Sequence, residues 1–284
     1  MMEGKSVLIT GGAGFIGWAL ANALRANYVV IVDDLTNPCN LFDPKLFEFH
    51  KSPVNDIINT LGQRDFDYIF HFGEYSRVET SLNEFSYVFD QNTKQLPTIL
   101  EYSKNAKAKL IYSGSSTVFA DVKNPEFLSP YTLFKLTNCN IIKAFSYWYG
   151  LQYAICYFSN VYGPGECEDT KYQTVVQKYI NMIKNGKNEL PVTGDGTQIR
   201  EFTHIEDTVN ALILIAELGT GDGYCVSSGE KTAINQLVNM FGAKPRYMPE
   251  SSANRKSTSI DTNKLRELGW CPKHKLAGYI KGLV

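Results

Sequence analysis

An apolar run, Val7–Thr10, leads directly into Gly11-Gly-Ala-Gly14-Phe-Ile-Gly17, and the chain continues as an amphipathic stretch over Ile16–Ala26. This order restricts the fold more than any other feature of the sequence. Small residues at Gly11, Gly14 and Gly17 let a strand turn tightly into a helix and let backbone approach a pyrophosphate, whose charge the helix N-terminus favours. A glycine loop alone also serves ordinary strand–helix turns. Here a second apolar run, Val29–Val32, ends at Asp33, 16 residues beyond Gly17. A carboxylate at that place can accept hydrogen bonds from adenosine ribose hydroxyls and repels a 2′-phosphate, so the unit favours NAD over NADP.

The rest of the first half repeats the theme. Tyr68–Phe72, Leu110–Ser113 and Ala154–Tyr157 are apolar runs with little alternation, as expected of strands covered on both faces. Amphipathic stretches at about Asn92–Asn105 and over Tyr131–Tyr149 lie between them. The expected fold is α/β, a doubly wound parallel (Rossmann) sheet with a smaller interleaved C-terminal substrate lobe. After Gly163-Pro164-Gly165 come a helical stretch from about Thr174 to Asn185, a short strand and turn from Leu190, and a helix from about Thr208 to Leu218. We expect residues 1–164 and 203–226 to form the cofactor-binding domain, and 165–202 and 227–284 the substrate-binding lobe.

Composition excludes several classes. The 28 Lys and Arg against 29 Asp and Glu leave a formal charge of −1, so a nucleic acid polymer or an anionic membrane surface is not an expected partner. The aliphatic stretch Ala211–Ala216 is far too short to span a bilayer, and the opening MMEGKSVLIT leaves no room for a signal peptide. Six cysteines at 39, 139, 156, 167, 225 and 271 lack metal-ligand spacing and read as reduced thiols, which points to the cytoplasm. His71 and His204 have no ligand companions in the sequence, so no metal is expected.

Tyr131 and Lys135 stand four apart on a predicted helix and share a face, with Pro130 suited to its first turn. The glycine loop, Tyr131-x-x-x-Lys135, His71-Phe-Gly, Ser113-Gly-Ser-Ser-Thr-Val-Phe, Ser159-Asn-Val-Tyr-Gly-Pro-Gly, Gly194-Asp-Gly-Thr-Gln-Ile-Arg-Glu-Phe and Leu268-Gly-Trp occur in one order along nearly the whole chain. Together they resemble the extended short-chain dehydrogenase/reductase superfamily, and within it the NAD-dependent nucleotide-sugar epimerase/dehydratase family. The resemblance implies Ser115, Tyr131 and Lys135 as catalytic residues, with Tyr131 removing a proton from a sugar hydroxyl while hydride passes to NAD. It implies cofactor contacts from Gly11, Gly14, Phe15, Ile16, Gly17, Asp33, Phe72, Gly73, Tyr131 and Lys135, and contacts to a nucleotide-diphosphate sugar from Ser115, Ser116, Asn160, Arg200 and Arg255. A tyrosine of ordinary pKa ~10 needs about three units of lowering, ~4 kcal/mol, to act near neutrality. A lysine in a closed site beside an oxidised nicotinamide can supply it.

Within the family, 4,6-dehydratases commonly carry an Asp-Glu pair after the catalytic hydroxyl residue. Here Ser116 and Thr117 stand there, which favours a 4-epimerase working through a transient 4-keto sugar over a dehydratase. Glu74, Tyr75 and Arg77 depart from the family pattern at positions where the family has cofactor and sugar contacts. Glu74 and Glu79 could supply a carboxylate for elimination, and Tyr157 stands where the family usually has Arg. The adenine-contacting Gly-Asp is not evident in His50-Lys-Ser-Pro-Val. A catalytically inactive NAD-binding sensor or scaffold is the alternative from another class. The resemblance also implies a homodimer joined through the Asn92–Asn105 and Tyr131–Tyr149 helices.

Overall fold

The computed structural model describes residues 2–119, 128–167, 172–250 and 260–283. Twelve strands occur among them: β1 Ser6–Thr10, β2 Tyr28–Asp33, β3 Glu48–Lys51, β4 Tyr68–His71, β5 Lys109–Ser115, β6 Tyr153–Phe158, β7 Asn160–Tyr162, β8 Glu189–Thr193, β9 Ile199–His204, β10 Gly221–Val226, β11 Lys231–Ala233 and β12 Lys244–Met248. Seven form one sheet in the order β10-β6-β5-β4-β1-β2-β3, and every pairing in it is parallel. The chain winds from β1 outward to β3, then crosses back over β1 to β4 and runs outward to β6. That reversal leaves a crevice at the carboxyl ends of β1 and β4, where open α/β sheets bind ligands.

Apolar packing on both faces explains the unalternating runs. Ile9, Ile31, Phe70 and Ile111 face one core with the Phe15–Ala23 and Ile205–Leu218 helices. Leu8, Val30, Ile69 and Leu110 face the other, under the Leu96–Asn105 and Pro130–Tyr149 helices. The expected Asn92–Asn105 helix is regular only from Leu96, because Asp90–Lys94 forms a π turn ahead of it. The Pro130–Tyr149 helix has sharp ends: Ser129 Oγ accepts from Thr132 N–H at 3.2 Å, Pro130 occupies the first turn, and Gly150 closes it with φ of 71°.

A second body sits above the crevice. β11, β9 and β7 form a three-stranded sheet and β12 pairs with β8. Their core unites Tyr162, Val176, Ile180, Leu190, Phe202, Leu237 and Ile280. β10 returns to the large sheet, as does the helix before it, while Leu265 and Trp270 from the C-terminal stretch pack into the first core. No described helix is long and apolar enough to cross a membrane.

Candidate active site

A cleft of about 450 Å³ lies at the sheet reversal, between the two bodies. The glycine loop forms its floor at one end. Gly11 adopts φ of +69°, and a Cβ there would stand 2.5 Å from Gly73 N. A Cβ on Gly17 would stand 2.3 Å from Gly11 O. The Phe15–Ala23 helix starts at Gly14 with no side-chain cap, so its first N–H groups are left for an anion. Asp33 lies beside this loop, its carboxylate accepting from Ala13 N–H at 3.0 Å and Leu35 N–H at 2.8 Å. Burial nonetheless raises its pKa. Ser52, Pro53 and Val54, from the segment where the sequence lacks a Gly-Asp pair, also line the cleft. The donors, the acidic residue and the space that absent side chains leave suit a dinucleotide.

Deeper in the cleft stand Phe72 and Gly73 after β4, and Ser113–Thr117 at the end of β5. Tyr131 and Lys135 enter from the first turns of the Pro130–Tyr149 helix, 7% and 3% exposed. Ser115 Oγ accepts from Thr117 N–H at 3.3 Å, and Thr117 is tied to the same helix by Thr132 Oγ1 at 3.0 Å. Ser115, Ser116, Tyr131 and Lys135 thus line one pocket. Lys135 Nζ donates to Ser113 O at 2.6 Å and to Ser113 Oγ at 3.3 Å, and it forms an ion pair with Glu74. Burial acts to lower its pKa, but the Glu74 charge prevails and the net direction is upward.

The opposite wall comes from the second body. Asn160, at the start of β7, lines the cleft and donates to Glu201 O at 3.1 Å. Arg200, on β9, lines it too; its Nη1 donates to Ile199 O at 2.9 Å, and burial lowers its pKa. Its neighbour Glu201 is buried and takes a hydrogen bond from Ser227. Arg255 lies outside the described residues.

Sequence reasoning missed one residue of the cleft, Glu166, and gave another, Arg77, a contact position without a specific role. Glu166 is 4% exposed, lines the cleft and leaves Oε1 without a hydrogen bond among the described residues; burial raises its pKa to about 7. Its position directly after the Gly163-Pro-Gly165 break was the available signal, since such breaks carry chain across a sheet's ligand end. Arg77 also lines the cleft, over the Tyr172 ring at 5.9 Å. The carboxylates weighed for elimination are placed differently: Glu79 is exposed, and Glu74 is deeply buried among fixed donors. Tyr157 is turned away, donating to Asp222 at 2.7 Å.

One histidine reading needs correction. His204 does have ligand-type companions, because the fold brings His274 and Glu206 to it with candidate atoms within 4.8 Å of one another. The two imidazoles stack at 4.3 Å and 26°, so their nitrogen lone pairs run side by side rather than converge, and His204 Nδ1 already accepts from Glu206 N–H. We read this cluster as packing.

The fold and this cleft together define a dinucleotide-dependent enzyme of the doubly wound class. The sequence matches the model of the NAD dependent epimerase/dehydratase family over residues 7–226, and the chain belongs to that family. It is 29% identical to a putative UDP-glucose 4-epimerase of Methanocaldococcus jannaschii, over 98% of this chain and 97% of that one. Among solved structures it is similar to the UDP-N-acetylglucosamine 4-epimerase of Methanobrevibacter ruminantium in complex with UDP-N-acetylmuramic acid. That match has a TM-score of 0.88 and 28% identity, over 99% and 97% of the two chains. UDP-glucose 4-epimerase of Thermotoga maritima with UDP-glucose matches with a TM-score of 0.87 and 26% identity, over 97% and 96%.

Proposed function

We propose that the protein is an NAD-dependent nucleotide-sugar epimerase acting at C4. The observation that carries this reading is the single cleft lined by Ser115, Tyr131 and Lys135, by the glycine loop at one end and by Asn160 and Arg200 across from it. Phe15, Ile16, Phe72, Gly73 and Asp33 line the same cleft and are our cofactor contacts, with Gly11, Gly14 and Gly17 beneath the pyrophosphate. NAD held there would supply the hydride acceptor and donor for the sugar carbon. Tyr131 holds the proton of the 4-hydroxyl, Ser115 hydrogen-bonds that oxygen, and Lys135 favours the phenolate. Asn160 and Arg200 meet the nucleotide diphosphate through charge-assisted bonds, with Arg255 as a further candidate. Both of the 4-epimerase structures described above support this choice. So do the hydroxyls of Ser116 and Thr117 where an elimination would need carboxyl groups.

The boundaries 1–164 with 203–226, and 165–202 with 227–284, are our proposal for which parts hold cofactor and substrate. We further infer a homodimer joined through the Leu96–Asn105 and Pro130–Tyr149 helices. Exposed Phe85, Phe89, Tyr147 and Trp148 on and beside that face support it. The six cysteines, none in a disulfide among the described residues, support residence in the cytoplasm.

The test is incubation of purified protein and NAD with UDP-, GDP-, CDP- and dTDP-sugars, products being read by NMR. A 4-epimer is expected, and Tyr131→Phe should abolish its formation while NAD still binds. A 4-keto-6-deoxy product would replace epimerase by dehydratase. Tight NAD binding with no turnover of any sugar would favour a sensor or scaffold.

A further inference from the structure

Among the described residues, Glu74 is the carboxylate in contact with the proposed proton-transfer residues. Its side chain is 1% exposed. Both carboxylate oxygens accept from the Tyr112 hydroxyl at 3.0 Å, and Oε1 also accepts from Asn138 Nδ2 at 3.1 Å. Oε2 pairs with Lys135 Nζ, and His71 Nε2 lies 3.4 Å from Oε1. Asn138 is fixed in turn, donating to Asn92 O at 3.0 Å. A carboxylate so fully engaged has no lone pair positioned to take a proton from a sugar carbon, which removes it as the acid–base group of an elimination. Its effect must come through its charge, held beside Lys135.

We propose that Glu74 is a positioning residue, a fixed anion that holds Lys135 Nζ in place and offsets its charge, so that Tyr131 becomes a phenolate only when the nicotinamide's positive charge joins it. The inference rests on Tyr131 being the base. Two buried charges of opposite sign, one helical turn from a phenol, nearly cancel there. A lone Lys135 would favour the phenolate in the empty enzyme as well. Burial works to raise the Glu74 pKa, but the Lys135 charge and its neighbours hold it below the ordinary carboxylate range, so the anion persists at neutral pH. The other polar or ionisable groups around the pair are His71 on β4, Tyr112 on β5, and Asn138 and Cys139 on the Pro130–Tyr149 helix. Arg77 faces Tyr131 from the segment after β4, with Glu166 beyond it. Of these, Glu74 alone is an anion against Lys135.

The experiment is a tyrosinate absorbance titration of the whole protein, with and without NAD, taken as the difference from the matching Tyr131→Phe background. Glu74→Gln keeps the shape and removes the charge. It should lower the Tyr131 midpoint by about one to two pH units in the empty enzyme, the order of magnitude of removing a nearby unit charge at an effective dielectric near 20. Glu74→Asp should restore it toward the parent value. A Glu74→Gln midpoint that is unchanged or higher overturns the proposal. Should Glu74→Gln fail to fold, the paired Glu74→Gln/Lys135→Gln protein is compared with Lys135→Gln. The pair should titrate at least one unit lower, and equal midpoints overturn the idea. No sugar is needed, so this result is separate from turnover: activity surviving Tyr131→Phe would sink the function above without touching the titration.

Discussion

Replacing Gly11 by Ala should cost the fold several kcal/mol, while the same change at Gly14 should cost less than about one. Gly11 sits at φ of +69°, and a Cβ there meets Gly73 N and Phe72 C at 2.5 Å and Gly73 Cα at 2.8 Å. These are backbone atoms of the segment after β4, fixed by the Phe72 N–H to Thr10 O bond of 2.9 Å, so no side chain can swing aside. Left-handed strain of roughly 1–2 kcal/mol and overpacking of roughly 1–3 kcal/mol together give about 2–5 kcal/mol. That is a large share of the ~5–15 kcal/mol that holds a typical protein folded. Gly14 has φ of −71°, and its added Cβ would meet only Gly11 O, at 3.3 Å. Urea unfolding of both variants measures the contrast, and calorimetric NAD titration shows what each does to the pyrophosphate end. If Gly11→Ala unfolds within 1 kcal/mol of the parent, or Gly14→Ala costs as much as Gly11→Ala, the close approach of the two loops is not what the first glycine serves.

Glu166 makes stability depend on pH with a definite sign. Its folded pKa of about 7 lies above the ordinary 4.5, so the folded state keeps a proton that the unfolded chain has lost. Stability from this group is therefore full below pH ~4.5 and declines as pH rises to about 7, by up to about 3 kcal/mol. Urea midpoints from pH 5 to 8 should show Glu166→Gln gaining on the parent as pH rises; parallel curves would refute the buried acid. Asp207 is a second buried carboxylate, accepting from Lys273 N–H and His274 N–H at 2.9 Å each, while its backbone carbonyl accepts from Trp270 Nε1. Asp207→Ala should cost about 2–3 kcal/mol by stranding these donors, and indole fluorescence should report a loosened Trp270. A loss under 0.5 kcal/mol would show that water replaces the carboxylate.

Much of the doubly wound sheet was legible because each strand buries both faces and so forms an unbroken apolar run. β1, β2, β4, β5 and β6 fall within two residues of those runs. β3, with the sequence Glu48-Phe-His-Lys, did not show. It is an edge strand, held by backbone pairing to β2 rather than by burial, and its composition carries no such signal. Asp207 beside Glu206 reads as a helix-start charge; contacts with residues more than sixty positions away make it an anchor for the C-terminal stretch.

By itself the sequence determined the strand–glycine–helix unit, the order of the motifs and the Tyr131–Lys135 pair, because each depends on residues close together in the chain. Only the tertiary structure decided that Glu74 belongs to Lys135, that burial raises the pKa of Glu166, and that His204 meets His274. Partnership and desolvation arise when separate segments exclude water together. They are properties of where the chain returns to itself, and no local pattern of residues encodes them.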